Sequence, residues 1–318
     1  MGRGSVLVRE VLGDLSINTA ALTKATQTFI TNAKNAADLA EVPFEFVRYG
    51  MKLERALAVA NFVERGTFTG GVPGRLLGGV PDANLFTKLL RDEIDTPHRN
   101  YVQSSGVVTA DVIEVMNESA RKMLTSLMNS QVILMWSAFE ALAGDLWNAA
   151  VNHHPETLAE LTGVNAQDLL DENGNATAKT VPLSFIIKHK FKIHDKMGTV
   201  HTENRIKFDK LREIILAYRA AFPELCKLNS VDFWKDRHLK AICAIRNNLV
   251  HKAGKVDKQF TKQRGDEISI AHYQVDDDIV LEGTMMQSIL GGFVKFCVLM
   301  VQEVDGWLRA NPVTPAPP

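Results

Sequence analysis

Cysteine is scarce in this 318-residue chain: Cys226, Cys243 and Cys297 lie far apart, with no Cys-x-x-Cys pair. That spacing argues against a disulfide framework and a zinc knuckle, and it suits a reducing cytoplasm, the location expected here. Net charge of one sign is also missing. At −1 overall, the charge balance selects neither nucleic acid nor a membrane surface. No long uninterrupted apolar run is present. The most apolar stretch, Ile289 to Val304, is broken by Lys295, Gln302 and Glu303; it reads as a buried helix, too short for a bilayer. The N-terminus, Met-Gly-Arg-Gly-Ser-Val-Leu-Val, has no signal-peptide core, and Val6 stands where myristoylation needs Ser or Thr. No lipid anchor and no membrane partner are expected.

Recognisable cofactor chemistry is absent as well. The Gly-rich stretch 66–81 is followed by no Gly-Lys-Ser or Gly-Lys-Thr, and its only charge is Arg75, which disfavours a phosphate loop. His153-His154 has no partner at metal-ligand spacing, and His189 and His194, five apart, fall on different helix faces. Ser137 and the cysteines have no evident base, so nucleophilic catalysis has no support. Neither a metal nor a cofactor is expected.

What the chain does have is 46% hydrophobic content, enough for a core, arranged with helical spacing. An all-α bundle is expected, with residues 1–105 as a helical N-terminal region of regulatory or partner-binding use, 106–310 as the bundle, and 311–318 as a Pro-rich tail. Within the first region, Ser16 caps a helix to about Glu41 with Ala21, Ala25, Phe29 and Ala33 on one face. Pro43 opens a second to about Glu64, 66–81 is a loop, and Asp82 opens a third to about Ile94. In the bundle, a long helix from Thr109 to about Asn152 carries the stripe Val112, Met116, Met123, Leu127, Leu134, Ala138 and Leu142. A polar excursion over 156–180 follows, with a short helix at Pro155 to Leu161. A short helix is then expected from Pro182 to Phe191, another helix from Thr202 to Ala221, and the last from Thr284 to Ala310. A β-hairpin is expected at Glu267 to Ala271 and Asp278 to Glu282, turning at Asp276-Asp277.

The stretch Lys240 to Gly254 stands out. Leu239, Ile242, Ile245 and Leu249 form an apolar helical face that carries Arg246, Asn247, Asn248 and His251 into the last turn, and Gly254 is a natural stop. Between Lys235 and Arg264 nine Lys and Arg face two acidic residues, a local +7 of the kind a polyphosphate selects. Lys188 to Glu213 is milder, eight basic against four acidic. A bare Arg-x-x-x-x-His arises by chance in roughly every third chain of this length. Arg91, Asp92 and His98 form a decoy at a looser spacing, with six residues between the arginine and the histidine, rejected because Pro97 breaks the helix and three acids would repel a phosphate.

The Arg-Asn-x-x-x-His segment, with the long acidic helix Trp-Ser-Ala-Phe-Glu-Ala-Leu-Ala-Gly-Asp-Leu-Trp before it and an apolar helix after it, resembles the HEPN superfamily over residues 110 to 309. Members of that superfamily are helical domains, often metal-independent ribonucleases. The resemblance implies RNA as substrate, an endoribonuclease acting as a toxin or antiviral effector, an antitoxin or regulatory partner, and a homodimer with a composite site. RNA carries its own nucleophile, the 2′-hydroxyl, so cleavage needs proton transfer and charge stabilisation. His251 suits the first role and Arg246 the second, with Asn247 orienting. Glu140, or Asp145, is expected to pair with Arg246, and Lys240, Lys252, Lys255 and Lys258 to guide the RNA backbone. On an ideal helix Arg246 and His251 sit roughly 140° apart, so one helix does not aim both at one phosphate. A non-catalytic HEPN module that binds nucleotide or RNA, or scaffolds a partner, is the alternative.

Overall fold

A computed structural model describes residues 3–13, 15–39, 88, 118–161, 183–190, 193–204, 206–281 and 283–313. The helices expected at Pro43 to Glu64 and Asp82 to Ile94, the 66–81 loop, the Arg91 decoy and most of the 156–180 excursion lie outside these residues, apart from the helical Lys88. The chain divides into two compact units, residues 3–37 with 125–318, and residues 1–2 with 38–124. The described residues fall almost wholly in the first.

That unit is all-α. Its helices are α1 (Arg3–Gly13), α2 (Thr23–Leu39), α3 (Glu118–His153), α4 (Pro155–Leu158), α5 (Leu183–Lys188), α6 (Met197–Asn204), α7 (Leu211–Ala221), α8 (Arg237–His251), α9 (Lys258–Gln263) and α10 (Gly283–Ala310). No strand occurs among the described residues. The expected hairpin is replaced by a 3₁₀ turn at Ile268–Ile270, and Asp278 instead makes an isolated antiparallel bridge to Lys255. The Glu267 side chain drives this change, because it accepts from the amide and hydroxyl of Ser269 and so curls the chain.

Aromatic side chains join the long helices. Trp136 and Phe139 of α3 meet Phe293 of α10 at 6.4 and 5.4 Å, and Phe296 meets Trp234 at 5.9 Å. Two buried polar tips lock α3 to α7: the Trp147 indole donates to the Ala217 carbonyl at 3.0 Å and the Tyr218 hydroxyl to the Ala143 carbonyl at 2.8 Å. The α3 core stripe is Met135, Trp136, Phe139, Leu142, Leu146 and Trp147. Leu134, expected inside, is 48% exposed, because the packed face runs one residue further round the helix.

The first forty residues contain two differences from expectation. Helix α1 packs against α10, and Val8, Leu12, Leu22, Phe29 and Ala33 join the common core. Residues 3–37 thus belong to the compact unit of the bundle, not to a separate 1–105 region. The helix expected from Ser16 begins only at Thr23, after a 3₁₀ turn, since the buried Asp305 carboxylate draws in the amides of Asn18 (3.2 Å) and Thr19 (2.8 Å). Likewise the helix expected from Thr202 to Ala221 is two. Thr202 lies inside α6, its hydroxyl bonded to the Thr199 carbonyl, and non-helical chain near Phe208 places that ring against Trp147 and Gly144.

By length and composition α10 is apolar enough to cross a membrane, despite its charged interruptions. Its apolar face, however, is filled by Ile289, Phe293, Cys297, Met300, Val301 and Val304, all fully buried against the other helices.

Candidate functional site

Helix α8 is built for rigidity. Asp236 caps it, its Oδ1 accepting from the amides of His238 and Leu239, both at 2.9 Å. Leu239, Ile242 and Ile245 are fully buried, and Leu249 is half-buried. At the far end the amides of Lys252 and Gly254 both donate to the Asn248 carbonyl, while Ala253 (φ +51°) and Gly254 (φ +84°) reverse the chain. Left-handed geometry is free for Gly254 and costly for Ala253, so the stop is a fixed feature.

This frame holds Arg246, Asn247 and Glu140 together. Arg246 Nη2 stands 3.6 Å from Glu140 Oε1, its Nη1 donates to Asn247 Oδ1 at 3.1 Å, and the arginine and glutamate side chains are 23% and 20% exposed. The Asn247 amide turns toward Cys243 Sγ and Gln263 of α9. Burial pushes the Glu140 carboxyl above its ordinary range, against the pull of the Trp136 indole and of Arg246, while Asp209 adds to the rise. Burial also pushes the Cys243 thiol up to about 11, which keeps it protonated and inert as a nucleophile. Asp145 is also raised by burial, countered by Lys24; it makes no ion pair with Arg246.

His251 ends α8, exposed, and its ring makes no hydrogen bond among the described residues. Arg246 faces α3 and is half-buried, so the two side chains are not joined within one chain. Asn248, between them, is buried and bonds back to the Ala244 carbonyl.

Much of the sequence-local +7 is neutralised by acids brought from elsewhere. From outside the run, Asp232 meets Lys235 (2.9 Å), Glu267 meets Arg237 (3.5 Å) and Asp278 meets Lys255 (2.9 Å); within it Lys252 meets Asp257 (3.9 Å), already counted in the +7, and Arg264 donates to the carbonyls of Ile270 and Tyr273. Lys258 is exposed on α9, and the stem of Lys240 lies over the backbone of Gly265. Within the run from Lys235 to Arg264, Lys240, Lys258 and Lys262 have neither an ion pair nor a carbonyl partner among the described residues, and they are the run's cations left for a polyanion.

No protein-family model, curated protein or solved structure matches the chain. The chemistry is therefore argued from these side chains. Among the described residues no three His, Cys, Asp or Glu side chains form a group able to hold a metal ion. Three other histidines have local structural tasks: His201 contacts the Ala159 carbonyl at 2.9 Å, His154 packs edge-on to Trp307, and His194 lies near Glu156 and Asp195 at the surface. What remains is a shielded guanidinium with a carboxylate and an amide, beside a solvent-facing imidazole. Such a set can bind a phosphate and move a proton.

The sequence reading missed Trp136, Cys243, Gln263 and Asp209 around this site. Only Trp136 left a trace, at helical i,i+4 spacing before Glu140. The others come from elements whose juxtaposition depends on packing, or, for Cys243, from a position read only as an isolated cysteine without a base partner.

Proposed function

We propose that this protein is a metal-independent endoribonuclease of HEPN type. His251 exchanges the proton of the 2′-hydroxyl or of the leaving 5′-oxygen, and Arg246, oriented by Asn247 and Glu140, stabilises the phosphate charge. The products are a 2′,3′-cyclic phosphate and a 5′-hydroxyl. The observation that carries this reading is the Glu140–Arg246–Asn247 cluster, partly open to solvent on the same rigid helix that ends in an exposed His251. Arg246 and His251 are separated around the α8 axis, so the complete site is a cleft between two copies of the chain. A toxin or antiviral effector, held in check by an antitoxin or regulatory partner, fits this design.

A second reading has its own observation. Arg246 is already engaged by Glu140 and Asn247, and Lys252 and Lys255 are engaged by Asp257 and Asp278, which suits a non-catalytic module that binds RNA or nucleotide or scaffolds a protein. Incubating the protein and its His251→Ala and Arg246→Ala variants with RNA in EDTA separates the two. Cyclic-phosphate ends from the wild type, falling at least a hundredfold in either variant, support the nuclease. Cleavage undiminished in both variants removes the assignment, and binding without cleavage favours the module.

A further inference from the structure

Trp136 precedes Glu140 by one turn of α3, so the two side chains share a face of the helix. The indole is 1% exposed, tilted against Phe139 at 5.2 Å and stacked near Phe293 at 6.4 Å. Packing alone therefore sets the direction of its N–H. That N–H, the ring's single donor, goes to Glu140 Oε1 at 2.5 Å, the same oxygen that stands 3.6 Å from Arg246 Nη2. An indole with this orientation does two things to the carboxylate. It fixes the rotamer, and it favours the ionised form, which can only accept.

We propose that Trp136 is a positioning residue of the Arg246 site: its buried N–H holds the Glu140 carboxylate in place, and Glu140 in turn sets which N–H groups the guanidinium has left for a phosphate. The proposal rests on the reading of Arg246 as a phosphate-binding group. The charged and titratable groups around Glu140 are Arg246 and Cys243 from α8 and Asp209 from the chain before α7. Of these only Arg246 favours its ionised form, and the indole acts in the same direction, so the indole's removal has a readable consequence.

Trp136→Phe keeps an aromatic ring in the core and deletes the donor. Carbon-13 NMR of the full-length protein, labelled at glutamate, reads the Glu140 carboxyl, assigned by its loss in Glu140→Gln. The expected result is a titration midpoint about one pH unit higher in Trp136→Phe. In the RNA assay in EDTA, kcat/KM falls about tenfold and the acid limb of the pH profile moves up by the same unit. Added to Glu140→Gln, Trp136→Phe costs less than a further twofold. An unchanged midpoint, or a full tenfold loss on top of Glu140→Gln, overturns the proposal. Should Trp136→Phe not fold, the indole N–H resonance of the wild type decides: it must shift as Glu140 titrates and be displaced in Glu140→Gln, and an indifferent resonance refutes the link. A wild type that never cleaves RNA defeats the nuclease reading, while these NMR measurements still decide whether Trp136 controls Glu140.

Discussion

The approach of α8 to α10 is set at Gly292, and replacing that glycine with alanine tests it. A β-carbon on Gly292 would lie 2.3 Å from Cγ and 2.4 Å from both Cδ2 and Cε1 of His238. The imidazole covers the glycine face-on, well inside the 3.0 Å below which real contacts do not go. The ring has little room to retreat. It is 16% exposed, with Nδ1 3.7 Å from Asp236 and Nε2 3.7 Å from the buried Glu267. With so close an approach to a hemmed-in ring, forcing it out costs about 2–3 kcal/mol of overpacking, the upper part of the usual range, against which the helix propensity of alanine returns about 1 kcal/mol. The net is a loss of about 1–2 kcal/mol, or roughly 2–8 °C in Tm for a unit of this size. Urea and thermal unfolding of Gly292→Ala measure it. Combining it with His238→Ala removes the ring the methyl would strike, so the double variant should be more stable than the two single losses predict, by about 1 kcal/mol. A Gly292→Ala protein as stable as the wild type, or strictly additive losses, would refute the reasoning. The stake extends beyond stability, because the helix that carries His238 also carries Arg246 roughly 12 Å further along its axis.

Three further tests follow. Gly198→Ala places a methyl 2.5 Å from the backbone carbonyl oxygen of Asn148, which cannot swing away; a loss of at least about 2 kcal/mol is expected in urea unfolding, with α6 detaching from α3. Asp305 sits in a site whose burial favours the neutral acid, yet the amides of Thr19 and Asn18 and the Arg309 guanidinium outweigh this and hold its carboxyl below the usual range. Its stabilisation is therefore present above the unfolded value near 4 and lost as pH falls through the folded value. Asp305→Asn should be about 2 kcal/mol less stable than the wild type at pH 7, and the gap should shrink steadily as pH falls below about 4, as read by denaturant midpoints. Cys243, with its thiol at about 11, should have roughly 0.1% thiolate at pH 8 and so resist iodoacetamide in the native protein but not in urea, by mass spectrometry of the digested peptide; rapid native alkylation would contradict its burial beside Arg246.

Local pattern made several elements legible. The apolar faces of α8 and α10 follow helical spacing closely enough that Leu239, Ile242 and Ile245, and Met285, Ile289, Phe293, Phe296 and Met300, are all buried as expected. The end of α8 was readable from Gly254 because left-handed backbone is a local property of the residue. Other features were hidden. The segment Arg3 to Gly13 is short and only its Val8 and Leu12 spacing hints at α1, whose partner is α10, nearly three hundred residues away. The late start of α2 depends on Asp305 for the same reason, and the hairpin failed because a single buried glutamate rewrote the local hydrogen bonds.

Sequence by itself determined that the chain is helical, that one rigid helix ends with Arg246, Asn247 and His251, and that a basic run surrounds them. Helical period, caps and glycine stops are short-range, so they survive without knowledge of the fold. Only the tertiary structure decided what those residues face. It brought Glu140 and Trp136 to Arg246, left His251 in solvent, and matched much of the basic run with Glu267, Asp278 and other acids. The physical reason is that charge and burial are summed over neighbours in space, and the residues that set the character of this site come from α3, α9 and the turn before α7.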